Sequence, residues 1–357
     1  MTVSDPTLAP SDITQRIAAR EERIHINLGP VCNNNCIFCM EEDREMRYVV
    51  NSSLTSDHIR SILETNAGGE EVCFTSGEPT LVEQLPEYVA WGKELGYQKR
   101  SVMTNGRRLS YMSYAAKLVK AGMNFFYISI HGHTEKLHNS LVRTKGAFDQ
   151  TVAGLDNIHR LQKFGVTLHT STVITKRNVV NLPEIYAFLR LHGVQQAVFN
   201  VMQANGRANT YFDSIFPPYT QITAEMKRFL ADCDEDEPQA FLVDIPLCTT
   251  EGIPDLNRGY VESYVHYEVA DLEGGSLQGD DRVAAQARRS EDGVYLEVTR
   301  DDLDTVERSK RTECLTCRYE SSCEGVWKNY LAHYGWDEFQ PVLAQPNSSQ
   351  SDRSAAK

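Results

Sequence analysis

Short apolar runs recur along the first two hundred residues, each followed by a polar turn and a longer mixed stretch, at a spacing of roughly thirty residues. The runs are rich in β-branched and aromatic side chains, which is typical of buried strands. They predict six strands: IHINL (24–28), EVCFT (71–75), RSVMT (100–104), FFYISI (125–130), TLHTSTVI (167–174) and QAVFNV (196–201).

The stretches between these runs carry apolar residues at helical spacing, and several of them end at glycine, the usual residue after a helix. They predict helices over 81–96, 110–122, 148–165 and 182–193. Successive β-α units joined by right-handed crossovers form a parallel sheet with helices packed against it. Six units rather than eight predict an α/β protein built as a partial (β/α)6 TIM-like barrel.

The repeat stops near residue 205, and this change predicts the domain organisation. We expect an N-terminal extension (1–23), the barrel (24–204), a connecting segment (205–240) and a small C-terminal domain (241–340) with short strands such as GVYLEV (293–298). The last residues (341–357) are polar and have the composition of a disordered tail.

Composition narrows the functional class. The chain has 357 residues, of which 41% are hydrophobic and 24% charged, as in ordinary globular proteins. Without a membrane-spanning apolar run or a signal-like start, a cytoplasmic location is expected. The net charge of −13 disfavours a nucleic-acid partner, because such proteins grip phosphates with basic side chains.

Six of the nine cysteines lie in two short windows, which is the spacing of metal ligands rather than of scattered core thiols. Cys32, Cys36 and Cys39 directly follow the first predicted strand. In parallel barrels the chemistry lies where strands end and βα loops begin, so this group is expected on the functional rim.

Three thiolates leave one iron of a four-iron cube without a protein ligand. An open coordination position marks a catalytic rather than a structural metal centre, by the logic that separates the two kinds of zinc site. A partial zinc knuckle is the alternative, although no fourth ligand follows at a suitable spacing.

The Cys-x3-Cys-x2-Cys spacing of Cys32, Cys36 and Cys39, with Phe38 before the last cysteine, resembles the signature of radical S-adenosylmethionine (SAM) enzymes. The resemblance implies a 4Fe–4S cluster whose open iron binds SAM. One-electron reduction, by a flavodoxin- or ferredoxin-type partner, would cleave SAM to methionine and a 5′-deoxyadenosyl radical that abstracts hydrogen from substrate.

The resemblance extends to the turn after the second strand. Ser76-Gly77-Glu78-Pro79 is similar to the family's Gly-Gly-Glu-Pro segment, which contacts the SAM amino group, with serine in place of the first glycine.

Three more positions of this sequence correspond to the family's cofactor contacts. Thr104 and the Asn-Gly after it are similar to the family's third strand end. Ser129 matches the serine of a Ser-x-Asp ribose contact, with His131 at the aspartate position. Met202 stands where related members place an adenine contact.

The second cysteine group, Cys314, Cys317 and Cys323, resembles the auxiliary-cluster segment of SPASM and Twitch extensions, with Trp327 where the fuller pattern has another cysteine. The favoured interpretation is a second 4Fe–4S cluster closed by Cys248. One alternative is a three-cysteine cluster whose open iron binds substrate, and another is a structural zinc.

Two cysteines remain. Cys73 lies within a predicted strand, where a buried core thiol is favoured over a hydrogen-atom donor. Cys233 follows a helix and precedes an acidic turn, which disfavours a reactive thiolate.

Together these patterns predict a radical SAM enzyme of oxidoreductase type that acts on a peptide or a small molecule. The expected reaction is oxidative maturation of a peptide, or oxidation or epimerisation of a small metabolite. A different class of function stays open: a non-catalytic iron–sulfur or zinc protein that serves as an electron carrier or interaction module.

Overall fold

The computed structural model of the chain describes residues 23–29, 31–39, 55–202, 206–230, 239–250, 264–269, 288–289, 295–299, 308–321, 323 and 325–343. Most of the predicted N-terminal extension and tail lie outside these residues, as does Cys233 with its acidic turn. No helix in the described part of the chain combines the length and apolar character needed to cross a bilayer.

The strands of the structure follow the predicted repeat. They are β1 (Arg23–Asn27), β2 (Glu71–Thr75), β3 (Lys99–Thr104), β4 (Phe125–Ser129), β5 (Thr167–Ile174), β6 (Gln196–Val201), β7 (Gln239–Val243), β8 (Tyr264–Val269), β9 (Arg288–Arg289), β10 (Tyr295–Thr299), β11 (Arg308–Ser309) and β12 (Val326–Trp327). The first six agree with the six predicted strands to within one residue at each end.

The helices are α1 (Ser56–Thr65), α2 (Leu85–Glu94), α3 (Met112–Ala121), α4 (Glu135–Val142), α5 (Ala147–Leu161), α6 (Leu182–Leu191), α7 (Arg207–Thr210), α8 (Phe212–Ile215), α9 (Tyr219–Leu230) and α10 (Lys328–Tyr334). Four of them match the predicted helices. The helices α1 and α4 lie in βα connections for which no helix was predicted.

Ten strands form one open sheet in the order β7-β6-β5-β4-β3-β2-β1-β8-β10-β9. Strands β1 to β7 run parallel to their neighbours, and β8 pairs in parallel with the other side of β1. At that side of the sheet, β10 pairs antiparallel with β8 and with β9. The predicted α/β class and open parallel barrel are therefore confirmed, and the sheet continues into the segment after residue 240.

The two faces of the sheet differ in character because side chains alternate along a strand. One face contributes Ile26, Phe74, Phe126, Leu168 and Phe199 to the main hydrophobic core.

The alternate residues form the open face, on the other side of the sheet. There Asn200 Nδ2 donates to Ser171 Oγ at 2.8 Å, and the His169 ring lies 5.3 Å from that of Tyr127. Over β4 to β6, the open face thus presents polar and aromatic groups.

An aromatic cluster joins the segment after β6 to the C-terminal helix α10. The Phe212 ring stacks on His333 with centroids 3.9 Å apart, and the rings of Tyr219 and Tyr330 lie 4.5 Å apart. Tyr219 and Tyr330 are both fully buried. This cluster fixes α10, and with it the residues that follow the second cysteine group.

Candidate functional site

The first cysteine group lies on a loop, residues 31–39, that directly follows β1. Its start is fixed because Glu78 N–H donates to the Val31 carbonyl at 2.8 Å. Its middle is fixed by the end of α4, whose Val142 and Leu141 carbonyls accept from the N–H groups of Asn35 and Ile37 at 2.9 and 3.0 Å. We call this segment the cysteine loop.

The three thiols of the cysteine loop lie close enough to affect one another electrostatically. Burial raises the pKa of Cys36, the neighbouring Cys39 and Cys32 raise it further, and Arg207 opposes the rise. The Cys32 sulfur accepts from Asn34 N–H at 3.4 Å and from Asn105 Nδ2 at 3.9 Å. A bound metal keeps cysteine thiols deprotonated. Three such thiolates form the donor set that a 4Fe–4S cluster with one open iron requires.

The Glu78 carboxylate holds the turns after β2 and β3 together. Its Oε1 accepts from Thr80 Oγ1 and Thr104 Oγ1 at 2.5 Å each and from Thr80 N–H at 3.1 Å, while Oε2 accepts from Asn105 N–H at 2.7 Å. Glu78 is only 2% exposed, and its burial raises the pKa of the carboxyl group against the lowering effect of these hydrogen bonds. The carboxylate is engaged within the protein, and the turn presents the backbone of Ser76 and Gly77, both with positive φ.

Phe38 packs edge-on against His131, with ring centroids 4.7 Å apart. His131 stacks on His138, and both rings are buried. Val173 N–H donates to His131 Nδ1 at 3.1 Å, and His131 N–H donates to His138 Nδ1 at 3.2 Å. Because both Nδ1 atoms accept, each neutral ring carries its proton on Nε2.

Both histidines of this stack favour the neutral form. Burial, with a smaller contribution from His138, lowers the pKa of His131 well below its ordinary value. Burial, followed by the charge of Arg107, lowers the pKa of His138 to about 4. His131, at the expected aspartate position, is therefore a neutral, buried ring.

The remaining predicted contacts are distributed around this rim. Ser129 is half-buried at the end of β4, and Met202 is buried in the main core just after β6. Cys73 is fully buried in β2, in register with His25 of β1 and Ser101 of β3. The roles predicted for these side chains stay predictions.

Two arginines at the rim were not assigned a role from the sequence. Arg107, after β3, donates to the Asn33 carbonyl and to Asn34 Oδ1. Arg207, at the start of α7, donates to the Cys36 carbonyl and to Asn35 Oδ1. For Arg107, the Asn-Gly-Arg turn at the end of a strand was an available signal.

The second cysteine group and Cys248 surround one cavity. Its lining includes the four cysteines Cys248, Cys314, Cys317 and Cys323, together with Trp336 and Phe339.

The four thiols of this cavity interact electrostatically and accept at least one backbone hydrogen bond. Burial raises the pKa of Cys248 to about 12, and Cys323, Cys317 and Cys314 add to the rise in that order. Val342 N–H donates to the Cys317 sulfur at 3.4 Å.

The cavity brings together Cys248 and the three cysteines of the second group, which are distant from it in the sequence. Within the described residues, no three His, Cys, Asp or Glu side chains converge on a point where they could hold a single metal ion. The four thiols instead stand around the wall of the cavity. Four thiolates are the donor set of a protein-closed 4Fe–4S cluster and equally of a structural zinc.

Comparison with known proteins adds the family context. The family model "Radical SAM superfamily" matches residues 26–189. A Fe-coproporphyrin III synthase from Methanosarcina barkeri is 26% identical over 207 residues, which are 57% of this chain and 50% of that protein. A probable GTP 3′,8-cyclase from Saccharolobus islandicus is 31% identical over 173 residues, which are 48% of this chain and 52% of that protein. The chain thus spans about half the length of these curated relatives.

Among solved structures, Streptococcus suis SuiB bound to precursor peptide SuiA is similar over 93% of this chain and 77% of that chain, with a TM-score of 0.61 and 14% identity. At this identity the likeness is one of fold. Because it covers 93% of this chain, the likeness extends past the barrel.

Proposed function

We propose that the chain, whose residues 26–189 match the radical SAM superfamily model, is an enzyme that cleaves SAM reductively and uses the resulting radical to remove hydrogen from its substrate. The observation that carries this proposal is the cysteine loop itself. Three mutually interacting thiols lie on one loop at the strand ends of an open parallel barrel, beside the turn that Glu78 fixes.

Cys32, Cys36 and Cys39 would hold a 4Fe–4S cluster, and SAM would occupy its open iron. When bound, this pair supplies a one-electron reduction that produces methionine and a 5′-deoxyadenosyl radical. The protein's own part is to bind, orient and exclude water. Phe38 of the loop forms a buried aromatic contact with His131, and the turn at Ser76 and Gly77 offers backbone groups to a ligand.

Cys248, Cys314, Cys317 and Cys323 would hold a second 4Fe–4S cluster. If the protein supplies all four ligands, the cluster has no iron free for substrate, and its role is electron transfer. The common cavity of the four thiols favours this closed arrangement over the three-cysteine alternative. It supports an oxidative reaction, in which the second cluster accepts the electron left on the substrate after hydrogen removal.

The substrate we favour is a peptide, and oxidation or epimerisation of a small metabolite is the second candidate. The open face of the sheet supports either, since Ser171, Asn200 and Tyr127 provide uncharged groups that suit amides or hydroxyls. The fold resembles that of SuiB, whose structure contains a precursor peptide. A flavodoxin- or ferredoxin-type protein would supply the electron.

The test is anaerobic reconstitution of the full chain with iron and sulfide, followed by dithionite reduction in the presence of SAM. We expect roughly eight irons per chain and release of 5′-deoxyadenosine. Replacing Cys32, Cys36 and Cys39 by alanine should remove half of the iron and all SAM cleavage. Cys248→Ser should disturb only the second cluster, and Cys73→Ala, outside both groups, serves as the control for iron content.

The outcomes separate the classes of function. Iron binding without SAM cleavage would favour an electron carrier, and zinc in place of iron at the second group would favour a structural site. Incubation of the reduced enzyme with a deuterated cell extract would then identify the substrate, because abstracted deuterium appears in 5′-deoxyadenosine.

A further inference from the structure

The cysteine loop contains three consecutive asparagines, and each side-chain oxygen accepts from a different residue outside the loop. Asn105 Nδ2 donates to Asn33 Oδ1 at 2.6 Å. The guanidinium groups of Arg107 and Arg207 donate to the side-chain oxygens of Asn34, at 3.1 Å, and of Asn35. The loop is therefore held by its side chains along its whole middle.

The two arginines also bind the main chain of the loop. Arg207 donates from its guanidinium to the Cys36 carbonyl and from its backbone N–H to the Cys39 carbonyl, both at 3.0 Å. Arg107 donates to the Asn33 carbonyl, next to Cys32, and its Nε is fixed by Gln150 Oε1 at 2.7 Å. One arginine thus fixes the backbone of two cysteines, and the other fixes the residue beside the third.

The position of Arg207 depends on the packing of α8 against the C-terminal helix α10. It begins α7, which leads into α8, and Phe212 of α8 stacks on His333 of α10. Arg107 approaches from the other side, after β3. A planar guanidinium offers several donors in a rigid fork, which suits the simultaneous binding of a carbonyl and an amide oxygen.

Both arginines place positive charge beside a loop with three cysteines, which become thiolates when they bind a metal. The chain as a whole has a net charge of −13. The reduction potential of an iron–sulfur cluster depends on nearby charge and on the hydrogen bonds around its ligands. Positive charge stabilises the reduced, more negative cluster.

We propose that Arg207 and Arg107 are positioning residues that fix the spacing of Cys32, Cys36 and Cys39 and raise the reduction potential of the cluster these cysteines hold. This inference rests on the proposed function, because it concerns the cluster of the first group.

The test uses full-length Arg207→Gln, Arg207→Lys and Arg107→Gln proteins, reconstituted anaerobically. Arg177→Gln is the matched control, since Arg177 is exposed and donates to Ser140 in α4. Iron per chain and the midpoint potential of the SAM-responsive electron paramagnetic resonance signal are measured for each. This signal reports the first cluster specifically, because only a cluster with an open iron responds to SAM.

The two substitutions of Arg207 separate its charge from its geometry. We expect the glutamine variants to titrate at a lower potential than Arg177→Gln. We expect Arg207→Lys to keep most of the potential but to lose occupancy of the first cluster, because an ammonium group lacks the guanidinium fork. Loss of first-cluster iron with retention of second-cluster iron in Arg207→Gln also supports positioning.

Other results would overturn the inference. Glutamine variants with the potential and iron content of Arg177→Gln would show that neither arginine positions or tunes the cluster. If Arg207→Gln fails to fold by circular dichroism, the potential of Arg107→Gln decides the question. A wild-type protein without any SAM-responsive signal would show that the proposed function itself has failed.

Discussion

The buried His138 predicts a specific loss of stability in mild acid. Its ring is fully buried, stacks on His131 and has a pKa lowered to about 4, first by burial and then by Arg107. The unfolded chain has a histidine pKa near 6.5, so it binds a proton before the folded protein does. Stability that is present above pH 6.5 is therefore lost as the pH falls through the window from 6.5 to about 4.

The size of this loss follows from the shift. A difference of about 2.5 units corresponds to about 3.4 kcal/mol, of which about 2 kcal/mol is lost between pH 7 and pH 5. Burial also lowers the pKa of His131, so the wild-type protein should lose more than one histidine's share.

The assay is urea unfolding of the metal-free protein under anaerobic conditions at pH 7 and pH 5. His138→Gln, whose amide oxygen can still accept from His131 N–H, should lose about 2 kcal/mol less than wild type between the two pH values. His159→Gln is the control, because His159 is exposed and bonded to Gln162. An unchanged pH dependence in His138→Gln would refute the reasoning.

Two further predictions concern the packing of the rim. Glu78→Gln places an amide NH2 group opposite Asn105 N–H, so that two donors face each other. The substitution should lower the free energy of unfolding, measured by urea denaturation, by about 1.5–3 kcal/mol. A change well below about 1 kcal/mol would contradict the buried hydrogen-bond network. Gly154→Ala in α5 would place a Cβ 2.3 Å from the Gly106 carbonyl and should cost about 1–3 kcal/mol. Gly92→Ala in α2 meets ordinary contacts from 3.4 Å and should be neutral or stabilising, so equal effects of the two would refute the close packing of α5.

The local alternation of apolar and polar residues was sufficient to predict the strands of the barrel. In β5 every second residue is buried, including Leu168 and Ile174, and this alternation is visible in the sequence as TLHTSTVI. A strand that packs one face on a core must repeat in this way, so its bounds follow from the chain itself.

The helix α4 was not predicted because its apolar residues form too weak a helical pattern. It has eight residues, begins after the cap Thr134, and buries His138, Leu141 and Val142. Three apolar side chains in so short a segment give little periodicity, although a threonine before an acidic residue is a recognised start signal.

Contacts between residues far apart in the sequence could be predicted for a cysteine but not for the arginines. Cys248 could be linked to the second group, because it is an isolated cysteine in the same predicted domain as that group. Arg207 contacts Cys36 and Asn35 across 171 and 172 positions. Arginines have many roles on a protein surface, and no local pattern marks the one that reaches a distant loop. The pairing of β8 with β1 is unpredictable for the same reason.

That pairing has a consequence for the order in which the protein is assembled. β1 lies between β2 and β8, and β8 emerges from the ribosome roughly 240 residues, or on the order of 10–50 s, after β1. Until then β1 can pair with β2 only, and the cysteine loop follows a strand that is hydrogen-bonded on one side. Arg207 also emerges long after the three cysteines. The first cysteines to be synthesised are thus among the last to reach their final positions, so under the proposed function iron–sulfur insertion at this loop would follow the pairing of β8 with β1.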